Sequence, residues 1–488
     1  MDTQLLEKKQ SLLFLETFGC QMNENDSDRI IGLFKKMNYC VTNDPNLADV
    51  IILNTCSIRH KAQHKVFSAA GRFKGLKEKN NNLIIGIGGC VAQQEGGNLF
   101  KRMPHLDIVF GTQNIHKLPE LIDDVRLRNR KNSKIEFSQE MDPEYSFDYP
   151  IEKNRAKAFV TIMRGCDNFC AYCIVPYVRG REISRNSNDI IAEVKRLAEN
   201  GVKEIMLVGQ NVNSYGNKGG DRAFSSLLKA VCKISGIERV RFMTSHPKDM
   251  SDELIGMFAA EPKLCNYIHL PIQSGSDKIL ERMRRGYTTK EYLEKVDMIR
   301  KVCPDAAITT DIIVGFPDET DEDFNNTMDL IRDVEYDNIF SFIYSPRPET
   351  MAAKYDRQVP DAVKKERLSF LQGFQREITF EKNKTMTGKV LDILVEGTSK
   401  MNGMLAAIPA PMSGVKASYV NNQIPYREES PQQSAGFFNS NELTGRTSCN
   451  RVVNFSSDRD LIGRIISVKI EQAFANSLKG SVTQSVIT

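Results

Sequence analysis

Three cysteines stand within the stretch Arg164-Gly165-Cys166-Asp167-Asn168-Phe169-Cys170-Ala171-Tyr172-Cys173, at a C-x3-C-x2-C spacing. That spacing lets one loop turn all three thiolates onto a single inorganic core. Zinc would want a fourth ligand at a tetrahedral position, and no fourth ligand stands in this loop. A 4Fe-4S cluster held by protein alone takes four cysteines, so three leave one iron open to a substrate-like ligand. An open iron can do chemistry, whereas passive electron carriers saturate their metal.

A second set is dispersed. Residues 12–16 read as a buried strand, 17–23 as a loop, and the following stretch as a helix with Ile30, Ile31, Phe34 and Met37 on one face and Ser27 or a neighbouring Asp as N-cap. Strand 49–53 ends at Asn54-Thr55-Cys56 and precedes a helix reaching about Lys79, while strand 83–87 ends at Gly88-Gly89-Cys90. A fourth strand, 107–110, leads to a helix near 118–122. Alternating strands and helices predict a parallel sheet, whose ligands lie beyond the carboxyl ends of the strands. Cys20, Cys56 and Cys90 each fall at such an end. Any one alone reads as a buried core thiol. Three at equivalent positions, beside Gly, Thr or Asn, read as a second three-cysteine site. The Gly86-Ile87-Gly88-Gly89 run lacks the third glycine of a dinucleotide fingerprint, and His60 and His64 lack the following Glu of a zinc protease, so His60 and His64 read as a solvated helix face.

From Ala158 the alternation resumes. Strands at 159–163, 204–208, 240–244, 267–270, 308–313 and 339–344 alternate with helices at 189–200, 226–234, 252–260, 290–302 and 320–334, which predicts a partial (β/α)6 barrel. Such folds place chemistry on loops at the C-terminal strand ends. Cys166, Cys170 and Cys173 follow the first strand, and Gly209-Gln210-Asn211, Ser245-His246-Pro247, Gln273-Ser274-Gly275 and Gly315-Phe316-Pro317-Asp318-Glu319 share that rim.

The C-x3-C-x2-C loop with Tyr172 before its last cysteine resembles the radical S-adenosylmethionine signature. The motifs Thr17-Phe18-Gly19-Cys20-Gln21-Met22-Asn23, Asn54-Thr55-Cys56-Ser57-Ile58-Arg59, Gly88-Gly89-Cys90 and Cys173-Ile174-Val175-Pro176-Tyr177-Val178-Arg179-Gly180-Arg181-Glu182 are similar to those of the radical S-adenosylmethionine methylthiotransferase family, MiaB type. Gln210-Asn211-Val212-Asn213-Ser214-Tyr215, His269 to Ser276 and Thr310 to Pro317 extend the likeness over nearly the whole chain. The resemblance implies two 4Fe-4S clusters. One, on Cys166, Cys170 and Cys173, binds S-adenosyl-L-methionine and yields a 5'-deoxyadenosyl radical; the other, on Cys20, Cys56 and Cys90, holds the sulfur to be inserted. It implies tRNA as substrate, with methylthiolation at C2 of N(6)-dimethylallyladenosine next to the anticodon, and a one-electron donor such as flavodoxin or ferredoxin. An adenine C2–H is unactivated, so radical abstraction by the cofactor is the rational route. Rival readings are methylthiolation of threonylcarbamoyl-adenosine in tRNA or of a ribosomal-protein aspartate. From another class comes a non-catalytic iron-sulfur protein that binds RNA or carries electrons.

The elements that must position these groups fill a chain of 488 residues, for which about three domains are expected. The reading assigns 11–127 to an N-terminal α/β domain, 128–151 to a linker, 152–382 to a radical S-adenosylmethionine core and 383–486 to a small antiparallel β-barrel resembling the TRAM module. A helix at 363–380 precedes the β-rich runs 390–395, 451–455 and 466–470. Residues 401–441, rich in Ala, Pro, Ser, Gln and Asn, depart from the family pattern as a flexible insertion. Sixty-six basic against 62 acidic residues leave +4, too little by itself to diagnose nucleic-acid binding. Local groups are the candidate phosphate contacts: Arg179, Arg181, Arg185, Arg282, Arg284 and Arg285 in the core, and Lys389, Arg446, Arg451, Arg464, Lys469 and Lys479 in the barrel. The basic run Arg126 to Lys131 with Lys134 reads as a solvated linker. Cys40, Cys232, Cys265, Cys303 and Cys449 have no partner spacing and read as structural thiols. No apolar run approaches the about 18 residues of a membrane span, and no signal-peptide pattern opens the chain. A cytoplasmic monomer is expected.

Overall fold

Apolar runs such as Val50-Ile51-Ile52-Leu53 suit a strand covered on both faces, and here they lie in the middle of a parallel sheet. The structure, a computed structural model, describes residues 10–57, 60–128, 130–138, 155–218, 220–399 and 442–483. The N-terminal unit runs β1 (Ser11–Thr17), α1 (Gln21–Lys36), β2 (Tyr39–Val41), β3 (Val50–Thr55), α2 (His60–Arg72) and α3 (Lys74–Lys79). It continues through β4 (Ile84–Gly89), α4 (Cys90–Glu95), α5 (Asn98–Arg102), β5 (Ile108–Phe110), α6 (Leu118–Arg128) and β6 (Asn132–Lys134). The strand order is β2-β1-β3-β4-β5-β6. The chain therefore reverses direction across the sheet between β1 and β3, the position where doubly wound sheets open a ligand crevice. Cys20 and Cys56 flank that point, and Cys90 follows the next strand.

Several expectations are corrected. The helix after β1 begins at Gln21 with Cys20 itself as N-cap, so 21–23 are helical, and Ser27 is an interior residue bonded to Thr17 Oγ1 at 2.7 Å. The helix expected to reach Lys79 breaks at Phe73. Two short edge strands escaped the pattern. Of these, β6 lies inside the segment read as a linker, since Asn-Ser-Lys carries no apolar signal and pairs only because β5 offers a free edge. Arg126 and Arg128 belong to α6, where Arg128 meets Asp124 at 2.8 Å, rather than to a linker. Cys40, read as a structural thiol, is exposed on β2.

The central unit comprises β7 (Lys157–Thr161), β8 (Met163–Arg164), α7 (Val175–Arg179), β9 (Ile183–Ser184), α8 (Ser187–Glu199), β10 (Glu204–Val208), α9 (Phe224–Cys232), β11 (Arg239–Phe242) and α10 (Asp252–Ala260). Then follow β12 (Tyr267–His269), α11 (Asp277–Arg282), α12 (Thr289–Val302), β13 (Ala307–Val314), α13 (Asp321–Val334), β14 (Asn338–Ile343) and α14 (Asp361–Lys384). The trios β7-β10-β11 and β12-β13-β14 are parallel, and a parallel bridge from Val240 to Leu264 joins them into a six-stranded open arc. This is the expected partial barrel.

β15 (Val390–Thr398), β16 (Glu442–Thr447), β17 (Val452–Ser456), β18 (Ile465–Ala473) and β19 (Leu478–Val482) close a small barrel in the order β15-β16-β17-β19-β18. One seam departs from the all-antiparallel expectation: β17 and β19 run parallel, because the chain leaves β17, passes through β18 and returns beside it. The proposed insertion 401–441 lies outside the described residues. The barrel docks through backbone carbonyls. Arg239 donates to Arg446 O and Asp392 O at 2.7 and 2.8 Å, and Arg241 to Ser448 O and Thr447 O at 2.7 and 2.6 Å. The Arg241 side chain is fully buried, 3.0 Å from Glu204. Truncating one member of such a pair leaves an uncompensated buried charge. Arg241→Ala is therefore expected to cost about 3–5 kcal/mol, seen as a lower thermal unfolding midpoint, while Arg464→Ala at an exposed barrel position leaves the midpoint unchanged.

Candidate functional site

The three loops carrying Cys20, Cys56 and Cys90 are stitched by side-chain amides. Asn23, one turn after Cys20, donates through Nδ2 to Asn54 Oδ1 at 3.2 Å and Thr55 O at 3.1 Å, and Asn54 Nδ2 returns bonds to Asn23 O and Ser27 Oγ at 2.8 and 2.9 Å. Thr55 Oγ1 continues the chain to Gly88 O at 2.5 Å. The Cys20 N–H donates to Asn23 Oδ1 at 3.4 Å, capping α1. At Gly89, with φ +89, a Cβ would stand 2.3 Å from Thr55 O, so only glycine lets β4 turn into Cys90 there. The three thiols sense one another. A hydrogen bond with Cys56 pulls the Cys20 thiol down to about 6, with Arg179 lowering it further against the effect of burial. Burial raises Cys90, opposed by the same Arg179.

The other thiols follow β8. Gly165, at φ +72, passes so close to Arg181 O that a Cβ would lie at 1.9 Å, and its N–H donates to Gln210 Oε1 at 2.6 Å. Ala171 N–H donates to Met283 O at 2.9 Å, and Ala352 N–H to Ala171 O at 2.8 Å, which ties the loop to the turns that follow β12 and β14. Burial pushes Cys166 up to about 11 and Cys173 to about 12, the latter also through Cys170. Arg285 Nη1 donates to Cys170 Sγ at 3.3 Å.

Helix α7 leaves Cys173 and runs directly to the other set. Cys90 packs on Ile174 and Val178, Thr112 Oγ1 donates to Val178 O at 2.9 Å, and Gln113 Nε2 donates to Arg179 O at 3.0 Å. Arg179 Nη2 meets Asp26 of α1 at 2.9 Å, both side chains being buried. The preceding residue of α1, Asn25, bonds Phe159 O and Thr161 Oγ1 of β7 at 2.9 and 2.8 Å. Arg347, after β14, also lies within electrostatic reach of Cys56. Both ends of the barrel arc thus face the N-terminal thiols.

The donor set fits iron-sulfur chemistry. Six thiols in two groups of three supply the thiolate ligands that iron-sulfur clusters take. The rim also carries polar atoms that want a ligand: Asn211 Oδ1, Ser245 Oγ and His246 Nε2 are buried with no hydrogen-bond partner.

The arginines are where sequence reasoning erred. Arg179, Arg185 and Arg285, expected at phosphates, are buried: Arg179 pairs with Asp26, Arg185 with Glu193 at 2.8 Å, and Arg285 turns into the cysteine loop. Arg451 is held by Asp337 at 2.6 Å, and Arg446 bonds Asn450 and faces Glu396. Arg282 faces Asp318 at 3.7 Å, while Arg181 and Arg284 are exposed, as are Lys389, Arg464, Lys469 and Lys479. The side chains of His60 and His64 lie outside the described residues. The bridging residues Asn23, Asp26 and Asn54 went unassigned, and Arg285 was assigned to phosphate instead of the cysteine loop. Asn23 and Asn54 stood near their cysteines, a signal that could have found them; nothing pointed Asp26 or Arg285 to these roles, because their partners are remote in sequence.

Family models match three regions: the Radical SAM superfamily over residues 160–331, the Uncharacterized protein family UPF0004 over 12–111 and the TRAM domain over 434–483. A tRNA-2-methylthio-N(6)-dimethylallyladenosine synthase of Geotalea uraniireducens is 48% identical over 478 residues, covering 97% of this chain and 99% of that protein. The protein of that name in Syntrophus aciditrophicus is 47% identical over 98% of this chain and 95% of its own length. Among solved structures, the radical S-adenosylmethionine methyltransferase TsrM of Kitasatospora setae, with cobalamin and a 4Fe-4S cluster bound, aligns at TM-score 0.53 and 13% identity over 70% of this chain and 77% of its own, a likeness of fold. With matching domains in sequence and near-complete alignment at almost half identity, this chain belongs to the family of the tRNA-2-methylthio-N(6)-dimethylallyladenosine synthases, radical S-adenosylmethionine enzymes that carry 4Fe-4S chemistry.

Proposed function

We propose that this chain inserts sulfur and a methyl group at C2 of N(6)-dimethylallyladenosine next to the anticodon of tRNA, using one cluster on Cys166, Cys170 and Cys173 and a second on Cys20, Cys56 and Cys90. The observation that carries the reading is helix α7, which starts two residues after Cys173 and packs against Cys90 through Ile174 and Val178, so that one short segment joins the two thiol sets. When bound, the clusters and S-adenosyl-L-methionine supply the one-electron chemistry and the sulfur that no side chain here can provide.

The chain's own residues orient and enclose. Asn211, Ser245 and His246 offer unpartnered polar atoms at the rim to hold S-adenosyl-L-methionine. Burial, aided by Arg285, keeps His246 far below the ordinary histidine range, so its ring is neutral in this role. Beside the cysteine loop, Phe169 and Tyr177 stack edge to face with centroids 6.4 Å apart, and the Arg181 guanidinium lies 5.0 Å from the Phe169 ring. Tyr177 is 38% exposed, and an aromatic surface with a cation suits an unstacked base. Exposed Lys389, Arg464, Lys469 and Lys479, with Arg459, give the small barrel cations for tRNA phosphates. A flavodoxin or ferredoxin is the proposed electron donor, and a cytoplasmic monomer the proposed state; among the described residues no helix is long and apolar enough to cross a membrane.

Anaerobic reconstitution of the full chain is expected to give about eight irons. Substituting Ala at Cys20, Cys56 and Cys90 together, or at Cys166, Cys170 and Cys173 together, is expected to leave about four; a wild type with only four, unchanged by the first substitution, removes the second cluster. Nucleoside mass spectrometry of tRNA from a deletion strain is expected to show loss of 2-methylthio-N(6)-dimethylallyladenosine and accumulation of N(6)-dimethylallyladenosine. Loss of the methylthio form of threonylcarbamoyl-adenosine in its place would favour the rival substrate.

A further inference from the structure

Among the described residues, the hydrogen-bond partners of the buried Arg285 are two tyrosines, a carbonyl and a thiol, with no carboxylate. Its Nε donates to Tyr287 Oη at 2.8 Å and its Nη2 to Pro271 O at 2.7 Å. Nη1 donates to Cys170 Sγ at 3.3 Å and reaches Tyr172 Oη at 3.4 Å. Of the other buried arginines, Arg179, Arg185, Arg241 and Arg367 each face an acid, namely Asp26, Glu193, Glu204 and Glu319, while Arg239 is spent on two backbone carbonyls of the small barrel. A guanidinium kept inside a protein without a counter-charge is strongly destabilising, so the position of Arg285 calls for an anion at the one soft acceptor it touches. The backbone holds it there: α11 ends at Arg282, Arg284 turns at φ +57, and Met283 O receives the N–H of Ala171 inside the cysteine loop.

We propose that Arg285 is a positioning residue for the cluster on Cys166, Cys170 and Cys173, balancing its negative charge and raising its reduction potential through the N–H···S bond to Cys170. The inference rests on the reading that these three thiolates hold that cluster. Hydrogen bonds to ligand sulfur and local charge both set iron-sulfur potentials, and each favours the more negative, reduced form. The electron itself comes from an external one-electron donor. Tyr287 and Pro271 fix the plane of the guanidinium so that one edge stays on the sulfur.

The test compares reconstituted full-length wild type, Arg285→Gln and Arg285→Lys. Iron is counted, and the cluster whose electron paramagnetic resonance signal changes on adding S-adenosyl-L-methionine is titrated for its midpoint potential. Expected is full iron in the variants, with the reduced form of Arg285→Gln disfavoured about tenfold, which is about 59 mV for a one-electron couple. Arg285→Lys should fall between, since it keeps the charge and loses the fork. An unchanged potential in Arg285→Gln with iron retained overturns the proposal. Loss of this cluster's iron in both variants also overturns it, making Arg285 a scaffold of the loop. A wild type with no signal responsive to S-adenosyl-L-methionine overturns the cluster assignment, and this role with it.

Discussion

Arg179 and Asp26 meet at 2.9 Å in the interior, and the relation between the two thiol sets depends on that contact. Removing both charges from water is expensive, and the attraction between them offsets the cost only where the geometry is good and the remaining donors are used. Here the guanidinium also faces Cys90 and Cys20, so its charge is shared between an aspartate of the N-terminal unit and the thiols beside it. Because either partner alone would be an uncompensated buried charge, the pair resists sliding of α7 along α1. It thereby fixes the register of the central barrel against the N-terminal sheet.

Around this hinge point the N-terminal sheet behaves as a rigid frame. Its strand order puts the crevice between β1 and β3, and the amides of Asn23 and Asn54 tie the loops across it in place of backbone pairing. Loops at a sheet edge carry unpaired peptide groups that must be satisfied. Using side chains two or three residues from the cysteines does this while holding the thiols at fixed separations. The barrel side uses a different device. Its cysteine loop is short and hangs from backbone bonds to Met283 and Ala352, residues contributed by distant turns of the arc. The loop's anchors therefore sit on turns that the closed arc brings together.

The distribution of cations follows from the same packing. Arginine's planar fork satisfies several carbonyls or a carboxylate at once, and the structure uses it for docking: Arg239 and Arg241 seat the small barrel, Arg451 pins it to Asp337, and Arg367 ties α14 to Glu319. What remains exposed on the barrel is Lys389, Lys469 and Lys479 with Arg459 and Arg464. A count of basic residues by motif thus overstates the cationic surface, since the most prominent arginines of the motifs are internal.

The sequence by itself determined the elements and the two candidate thiol sets. Period-two and period-3.6 patterning placed β10 and α10 to the residue, and the spacing of Cys166, Cys170 and Cys173 named the first thiol site without any fold, because a short loop is a local object. Cys20, Cys56 and Cys90 were legible through a topological rule, that parallel strands end on one edge of their sheet. Short polar edge strands such as β6 were not, since their pairing comes from a neighbour's free edge rather than from their own side chains. Tertiary structure alone decided which arginines face water, the parallel seam of the small barrel and the approach of the two thiol sets. Each depends on partners separated by scores of residues, as Asp26 is from Arg179, and a charge reads the same in a sequence whether its counter-charge is solvent, phosphate or a buried acid.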